Sequence, residues 1–381
     1  MSSDQEEFNS GSEWYSEFED DEIDENGMFP STDYYLDSTM LIINCSKLKK
    51  FDGLERYKDI VDFSCRHKCS EENDDNTCSC YTPSLLDEHI SCLTKLTSFA
   101  CSYKLVSVPN AIGCLINLTY MNLSENCLTM LPEEIGSLVL LESLHLDHNK
   151  LVTLPESTGL LTRLTNLDID HNELEFLPES FGNLKLLPNF SAGWNEKLTR
   201  LPESFGGLES LTSVSMLFSG LIELPESFGD LSNLEFLQLR GNKLTTFPKS
   251  IGKLKKLCNI DVELNQIEFL PESFGNLESL ESINFEENKL SLLPGSFVNL
   301  ENLKIIEFTS NLFEEFPEVL YDMPNIEWLW MNDNKLKSMP SLEKNINLKS
   351  ISFHSNLFEW NEDTDVPPHM TENIKYLIRG L

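Results

Sequence analysis

The sequence predicts an α/β solenoid, in which each turn contributes one short strand laid parallel to the last, and three observations carry that prediction. First, prolines stand at 109, 132, 155, 178, 202, 225, 248, 271, 294, 317 and 340, always 23 residues apart except for one step of 24 between Pro178 and Pro202. Second, each ends the same kind of phrase, as in Leu118-x-x-Met121-x-Leu123-x-x-Asn126-x-Leu128-x-x-Leu131-Pro132, which returns at Leu141 to Pro155, Leu164 to Pro178 and with every period from Leu234 to Pro340, and once more, truncated, from Leu348 to Phe358. Third, the apolar-x-apolar centre of the phrase has the alternation of a strand with one buried and one exposed face. A strand recurring at a fixed short period can pair beside its predecessor and stack its apolar residues into one continuous core.

The elements follow in order along one repeat. Met121-x-Leu123, Leu144-x-Leu146 and Ile283-x-Phe285 are strand centres. The Asn that follows, at 126, 149, 172, 195, 242, 265, 288, 311, 334 and 356, stands where the strand turns into the core. Its amide donates and accepts at once, so a column of such residues can satisfy backbone groups that each turn would otherwise bury unpaired. The return segment, as in Pro271-Glu-Ser-Phe-Gly-Asn-Leu277, suits a short helical turn with Pro at its first position, Glu near its positive end and Gly275 ending it. Ser219 replaces the Asn once, and Asn195-Glu-Lys-Leu198 carries an extra residue, so an irregularity is expected there.

These phrases resemble the leucine-rich repeat family in its 23-residue form, over roughly residues 93–358. They look most like the intracellular Ras-associated group, which includes Sur-8-like scaffolds, Ras-suppressor proteins, the repeat domains of Scribble and Erbin, and plant relatives. The resemblance implies a horseshoe whose concave parallel sheet binds proteins, with short helical or irregular segments on the convex side. It also implies a cytoplasmic scaffold or adaptor acting as a monomer, with a small GTPase or signalling enzyme as its partner.

Outside the regular repeats the chain divides further. Residues 1–37 hold 13 acidic side chains and no Lys or Arg, interleaved with Phe8, Trp14, Tyr15, Phe18, Phe29, Tyr34 and Tyr35, which reads as an acidic disordered tail. Residues 38–92 read as a cysteine-rich N-terminal cap with degenerate repeat copies, and residues 359–381 as a C-terminal capping segment with Ile374, Leu377, Ile378 and Leu381 at helical spacing.

Composition excludes several functions. A net charge of −35 argues against nucleic acid, whose backbone demands a basic surface. No run of apolar residues is long enough to span a membrane, and the start lacks the basic and apolar regions of a secretory signal. Ten cysteines in a chain able to build a large core read as reduced thiols. Motifs for acyl transfer, phosphate binding, zinc proteolysis and dinucleotides are missing, so a non-catalytic role is expected and no cofactor is called for.

Residues interleaved with the buried ones line the concave face, so the same place in successive repeats gives lateral neighbours ~4.8 Å apart. Three zones emerge. His145, Asp147, His148, Asp168, Asp170 and His171 form a His/Asp cluster in which His148 and His171 could share a metal or make a pH-sensitive contact; a solvated polar face is the plainer reading. Trp194, Leu217, Phe218, Phe236 and Leu264 are apolar where the pattern expects polar residues, with Arg240 among them, and such groups dominate interfaces; inward folding of the irregular copies is the alternative. Asp261, Glu263, Glu286, Glu287 and Glu307 lead to Ile305, Trp328 and Trp330, a combination suited to a basic segment with an apolar anchor. In the cap, Cys65, Cys69, Cys78 and Cys80 fit either a small zinc site or a loop of buried thiols. A metal- or ligand-dependent sensor built on the His/Asp cluster or this cap is therefore the second functional reading.

Overall fold

Each 23-residue phrase forms one coil of a solenoid in the computed structural model, which describes residues 34–37, 40–44, 59–66, 88–102, 105–340, 342 and 344–358. For 34–37, 40–44 and 63–66 the description is of the backbone only. Fifteen strands form one sheet in sequence order. They are β1 Tyr34–Asp37, β2 Met40–Asn44, β3 Asp62–Arg66, β4 Ser98–Ser102, β5 Tyr120–Asn122, β6 Ser143–His145, β7 Asn166–Asp168, β8 Asn189–Ser191, β9 Ser213–Ser215, β10 Phe236–Gln238, β11 Asn259–Asp261, β12 Ser282–Asn284, β13 Ile305–Glu307, β14 Trp328–Trp330 and β15 Ser350–Ser352. The first pair is antiparallel and every other pair is parallel. The β1–β2 hairpin moves one boundary: the last four residues of the acidic segment are strand. The rest of that segment, most of the cap including the side chain of Cys65 and all of Cys69, Cys78 and Cys80, and the proposed capping helix lie outside the described residues.

The repeat's middle strand residue and the one two positions later point into the core. Met121, Leu123, Leu144, Leu146, Ile283 and Phe285 are fully or almost fully buried. On the return side each Pro-Glu phrase forms a five-residue 3-10 helix, such as Glu179–Asn183 and Glu272–Asn276. The proline sits one residue earlier than expected. Pro178 is extended (φ −67°, ψ 153°), and its carbonyl accepts the helix's first hydrogen bond from the Phe181 N–H at 3.0 Å. Gly275 also differs from expectation, because it lies inside its helix rather than ending it. A Cβ there would stand 2.1 Å from the Ser296 carbonyl oxygen, so the missing side chain lets successive helices stack closely. The neighbouring phenylalanines stack in consequence, Phe181 on Phe205 and Phe205 on Phe228, with ring centroids 6.2 and 6.0 Å apart.

The recurring acid after proline ties one outer turn to the next. Glu156 accepts from the Glu179 and Ser180 N–H groups, Glu226 from Lys249 and Ser250, and Glu272 from Ser296. Burial pushes the Glu226 carboxyl up, but those two N–H donors outweigh it and hold the group below its ordinary range. A carboxylate at a helix's unpaired N–H groups is favourable, so part of the chain's acidity is structural.

The Asn column closes each coil on the opposite side. The Asn149 amide oxygen accepts from the Leu128 N–H at 3.0 Å, and its nitrogen donates to the Leu123 and Leu146 carbonyls at 2.9 Å each. The same three bonds are made by Asn126, Asn172, Asn265, Asn288 and Asn311. Asn195, Asn334 and Asn356 likewise bridge their own repeat to the one before.

The irregular stretch is self-compensating. In a regular coil the backbone N–H two residues after the Asn needs the next repeat's amide oxygen. The extra residue after Asn195 lets the Leu198 N–H bond instead to the Asn195 carbonyl at 2.8 Å. Only a donor is then required from the next repeat, and Ser219 supplies it through its hydroxyl to the Ala192 carbonyl at 2.8 Å. The insertion and the serine are thus one change rather than two.

Candidate binding face

The inner face is built by residues whose side chains leave the sheet opposite the core and by the residue just before each ladder Asn. That last residue has a positive φ in every regular coil: 53° at His148, 52° at His171, 53° at Trp194, 52° at Phe218 and 59° at Leu264. Bulky residues seldom adopt this left-handed conformation, yet the closed coil imposes it. Its effect is to align one side chain per repeat.

The alignment merges two zones that the sequence kept apart. His148 stacks on His171 (centroids 4.2 Å, 21° between planes), His171 stacks on Trp194 (4.4 Å, 8°), and Trp194 meets Phe218 at 6.0 Å. The row ends on Gly241, where a Cβ would lie 2.3 Å from the Phe218 ring. Trp194 is 41% exposed and Phe218 39%, so these rings point outward rather than folding into the core. Leu217 and Leu264 are half-buried beside the row. Phe236 is exposed but stands in the register of Ser213 and Asn259, at the opposite end of the strand from this row.

Metal sharing by His148 and His171 does not fit this arrangement. Stacked imidazoles hold their nitrogen lone pairs in parallel planes, where they cannot converge on one ion. His145, Asp147 and Asp168 do converge, with ligand atoms within 4.8 Å of one another. Each already has protein partners: His145 Nε2 lies 2.9 Å from Ser143 Oγ, Ser124 donates to Asp147, Asp147 Oδ2 lies 3.0 Å from His148 Nδ1, and Asp168 accepts from the Asp170 N–H at 3.2 Å. Asp170 instead accepts from the Ser191 hydroxyl and the Gly193 N–H, while burial raises its carboxyl above the ordinary range.

Towards the C-terminal end the face turns acidic. Arg240 pairs with Glu263 at 2.9 Å. Beyond it, burial followed by repulsion from Glu263, Glu307 and Glu287 raises the Glu286 carboxyl, partly opposed by Arg240. Glu307 is raised mainly by burial, although Thr309 donates to it. Asp261 and Asn284 lie in register with Glu307. Trp330 extends that row half-buried. Trp328 is taken by the chain itself, since the Lys349 ammonium sits 4.8 Å from its ring centroid and pairs with Glu327 at 2.6 Å.

Among the described residues Cys92, Cys101, Cys114, Cys127 and Cys258 form no disulfide and are thiols. Burial pushes the Cys101 thiol up to about 12, which leaves it unreactive at neutral pH.

Residues 96–220 match the family described as leucine-rich repeat region, and residues 233–254 match a single leucine rich repeat. Both matched segments are therefore leucine-rich repeats. No curated protein matches it. Among solved structures, a plant peptide hormone receptor in complex with RGF2 is 29% identical with a TM-score of 0.57, covering 70% of this chain and 49% of the receptor chain. The chain therefore spans about half the length of that receptor. A Leptospira interrogans leucine-rich repeat protein is 24% identical with a TM-score of 0.52, covering 89% of this chain and 93% of the other. An internalin from Listeria monocytogenes is 22% identical with a TM-score of 0.59, covering 72% and 78%. These structures share the repeat solenoid. Among the described residues no helix is long and apolar enough to cross a membrane.

Proposed function

We propose that this leucine-rich repeat protein is a non-catalytic scaffold or adaptor that holds a partner protein against its concave face, in intracellular signalling. One observation carries the reading: the row His148, His171, Trp194 and Phe218 presents contiguous rings outward on a rigid sheet. Large aromatic side chains held in place supply binding area with little loss of conformational freedom. The plant receptor that resembles this chain is itself in complex with RGF2, which supports a polypeptide as the ligand class. A small GTPase or signalling enzyme is the partner class that the Ras-associated resemblance suggests.

The test compares the tagged full chain with Trp194→Ala/Phe218→Ala, and with Phe176→Ala, an exposed residue of the loop leading to Pro178, in capture from a cytosolic extract. Capture lost only in the double variant supports the proposal. Equal capture by all three removes the aromatic row from the account. The convergence of His145, Asp147 and Asp168 keeps one second reading, a metal-dependent sensor. Elemental analysis of protein purified without added metal separates the two, because a stoichiometric metal favours the sensor.

A further inference from the structure

The acidic side chains of this protein are treated differently on its two faces. Away from the concave face, acids and lysines from adjacent repeats neutralise one another: Lys185 with Glu209, Lys253 with Asp230, Lys255 with Glu278, Lys304 with Glu281 and Lys337 with Glu314, all within 3.1 Å. The concave columns carry a single Lys or Arg, Arg240, and Glu263 takes it. Asp261, Glu286, Glu287 and Glu307 have no described ion pair. Like charges half-buried side by side on a rigid sheet raise each other's energy, and a cation brought by another molecule relieves it. Burial first, and then this repulsion, raises the carboxyls of Glu286 and Glu307.

This acidic strip adjoins the aromatic row. Building on the protein-binding role above, we propose that the two together dock one extended basic segment of the partner, its apolar residue on Trp194 and Phe218 and its Lys or Arg side chains on Glu286 and Glu307. Charge complementarity selects this occupant over the chain's own acidic N-terminal segment, which the strip repels. The fold also sets the segment's register. From the β8 coil, which carries Trp194, to the β13 coil, which carries Glu307, there are five strand steps of ~4.8 Å, or ~24 Å. An extended chain covers that in about seven residues at ~3.3 Å each, and the three steps from Phe218 to Glu286 in about four. The basic residues therefore lie about four to seven positions from the apolar anchor.

A displayed library of random 12-residue peptides, selected on the immobilised full-length protein, tests this directly. The expected winners carry two or more Lys or Arg residues about four to seven positions from one Trp, Phe or Leu. Their affinity falls about tenfold in Glu286→Gln/Glu307→Gln and weakens steeply between about 50 and about 300 mM salt. Winners without basic residues, no winners, unchanged affinity in the glutamine variant, or tighter binding of a synthetic peptide of residues 4–25 overturns the proposal. If partner capture needs Trp194 and Phe218 but not Glu286 and Glu307, the docking register fails while the binding role stands.

Discussion

Replacing one ladder residue at a time ought to reveal that the coils are held by unequal numbers of bonds. Asn242 does double duty, because its amide oxygen accepts from both Gly220 N–H and Leu221 N–H at 2.9 Å while its nitrogen donates to the Met216 and Leu239 carbonyls. Asn242→Ala leaves two buried donors and two acceptors short of a partner. At ~1–3 kcal/mol per orphaned group, less what water entry restores, the expected loss is about 3–4 kcal/mol. Asn149 serves only one such donor, so Asn149→Ala loses about 1 kcal/mol less. Ser219 contributes one hydroxyl bond, and Ser219→Ala costs about 1 kcal/mol. The informative variant is Ser219→Asn, which restores the repeat's usual residue. Its amide oxygen finds no waiting donor, because Leu198 N–H is already bonded to Asn195, so the substitution destabilises. Urea midpoints for the four variants, followed by circular dichroism and tryptophan emission, give the order. A stabilised Ser219→Asn, or a Ser219→Ala as damaging as Asn242→Ala, refutes the compensation between insertion and serine.

Two further outcomes follow from the same geometry. Gly220 has φ +109° and faces the Glu196 carbonyl, 2.2 Å from where a Cβ would stand, so Gly220→Ala is expected to cost about 2–3 kcal/mol; a loss below about 0.5 kcal/mol contradicts the close approach. Glu286 and Glu307 titrate higher in the fold than in the unfolded chain. The folded state therefore binds their protons more readily, and stability falls as pH rises from the ordinary carboxylate range through those raised values. Glu286→Gln or Glu307→Gln is expected to lift the thermal midpoint at neutral pH by about 1–2 °C, with no gain below about pH 4. A gain independent of pH, or a lower midpoint at neutral pH, refutes the repulsion.

The spacing of proline and asparagine was enough to place the strands, the outer turns and the hydrogen-bonding column, because a period repeated so often leaves one way to stack. The face was legible as columns of lateral neighbours. Reading the column His148, His171, Trp194, Phe218, Gly241 as one row was within reach, yet its stacking depends on the positive φ before each Asn, which no single repeat announces. Lys349 over Trp328 was beyond reach, since it joins residues from adjacent coils through side-chain direction alone. The same is true of Gly275, whose contact lies on the next coil, and of the bond from Leu198 that frees Ser219 from accepting.

The most direct test of the concave-face claim is site-specific photo-crosslinking of the full chain with its captured partner. A crosslinker goes at exposed Gln238 on the inner face, and in a second sample at exposed Lys253 on the outer turns. Crosslinks from position 238, absent from 253 and abolished by Trp194→Ala/Phe218→Ala, are the predicted result. Crosslinks from 253 alone contradict it.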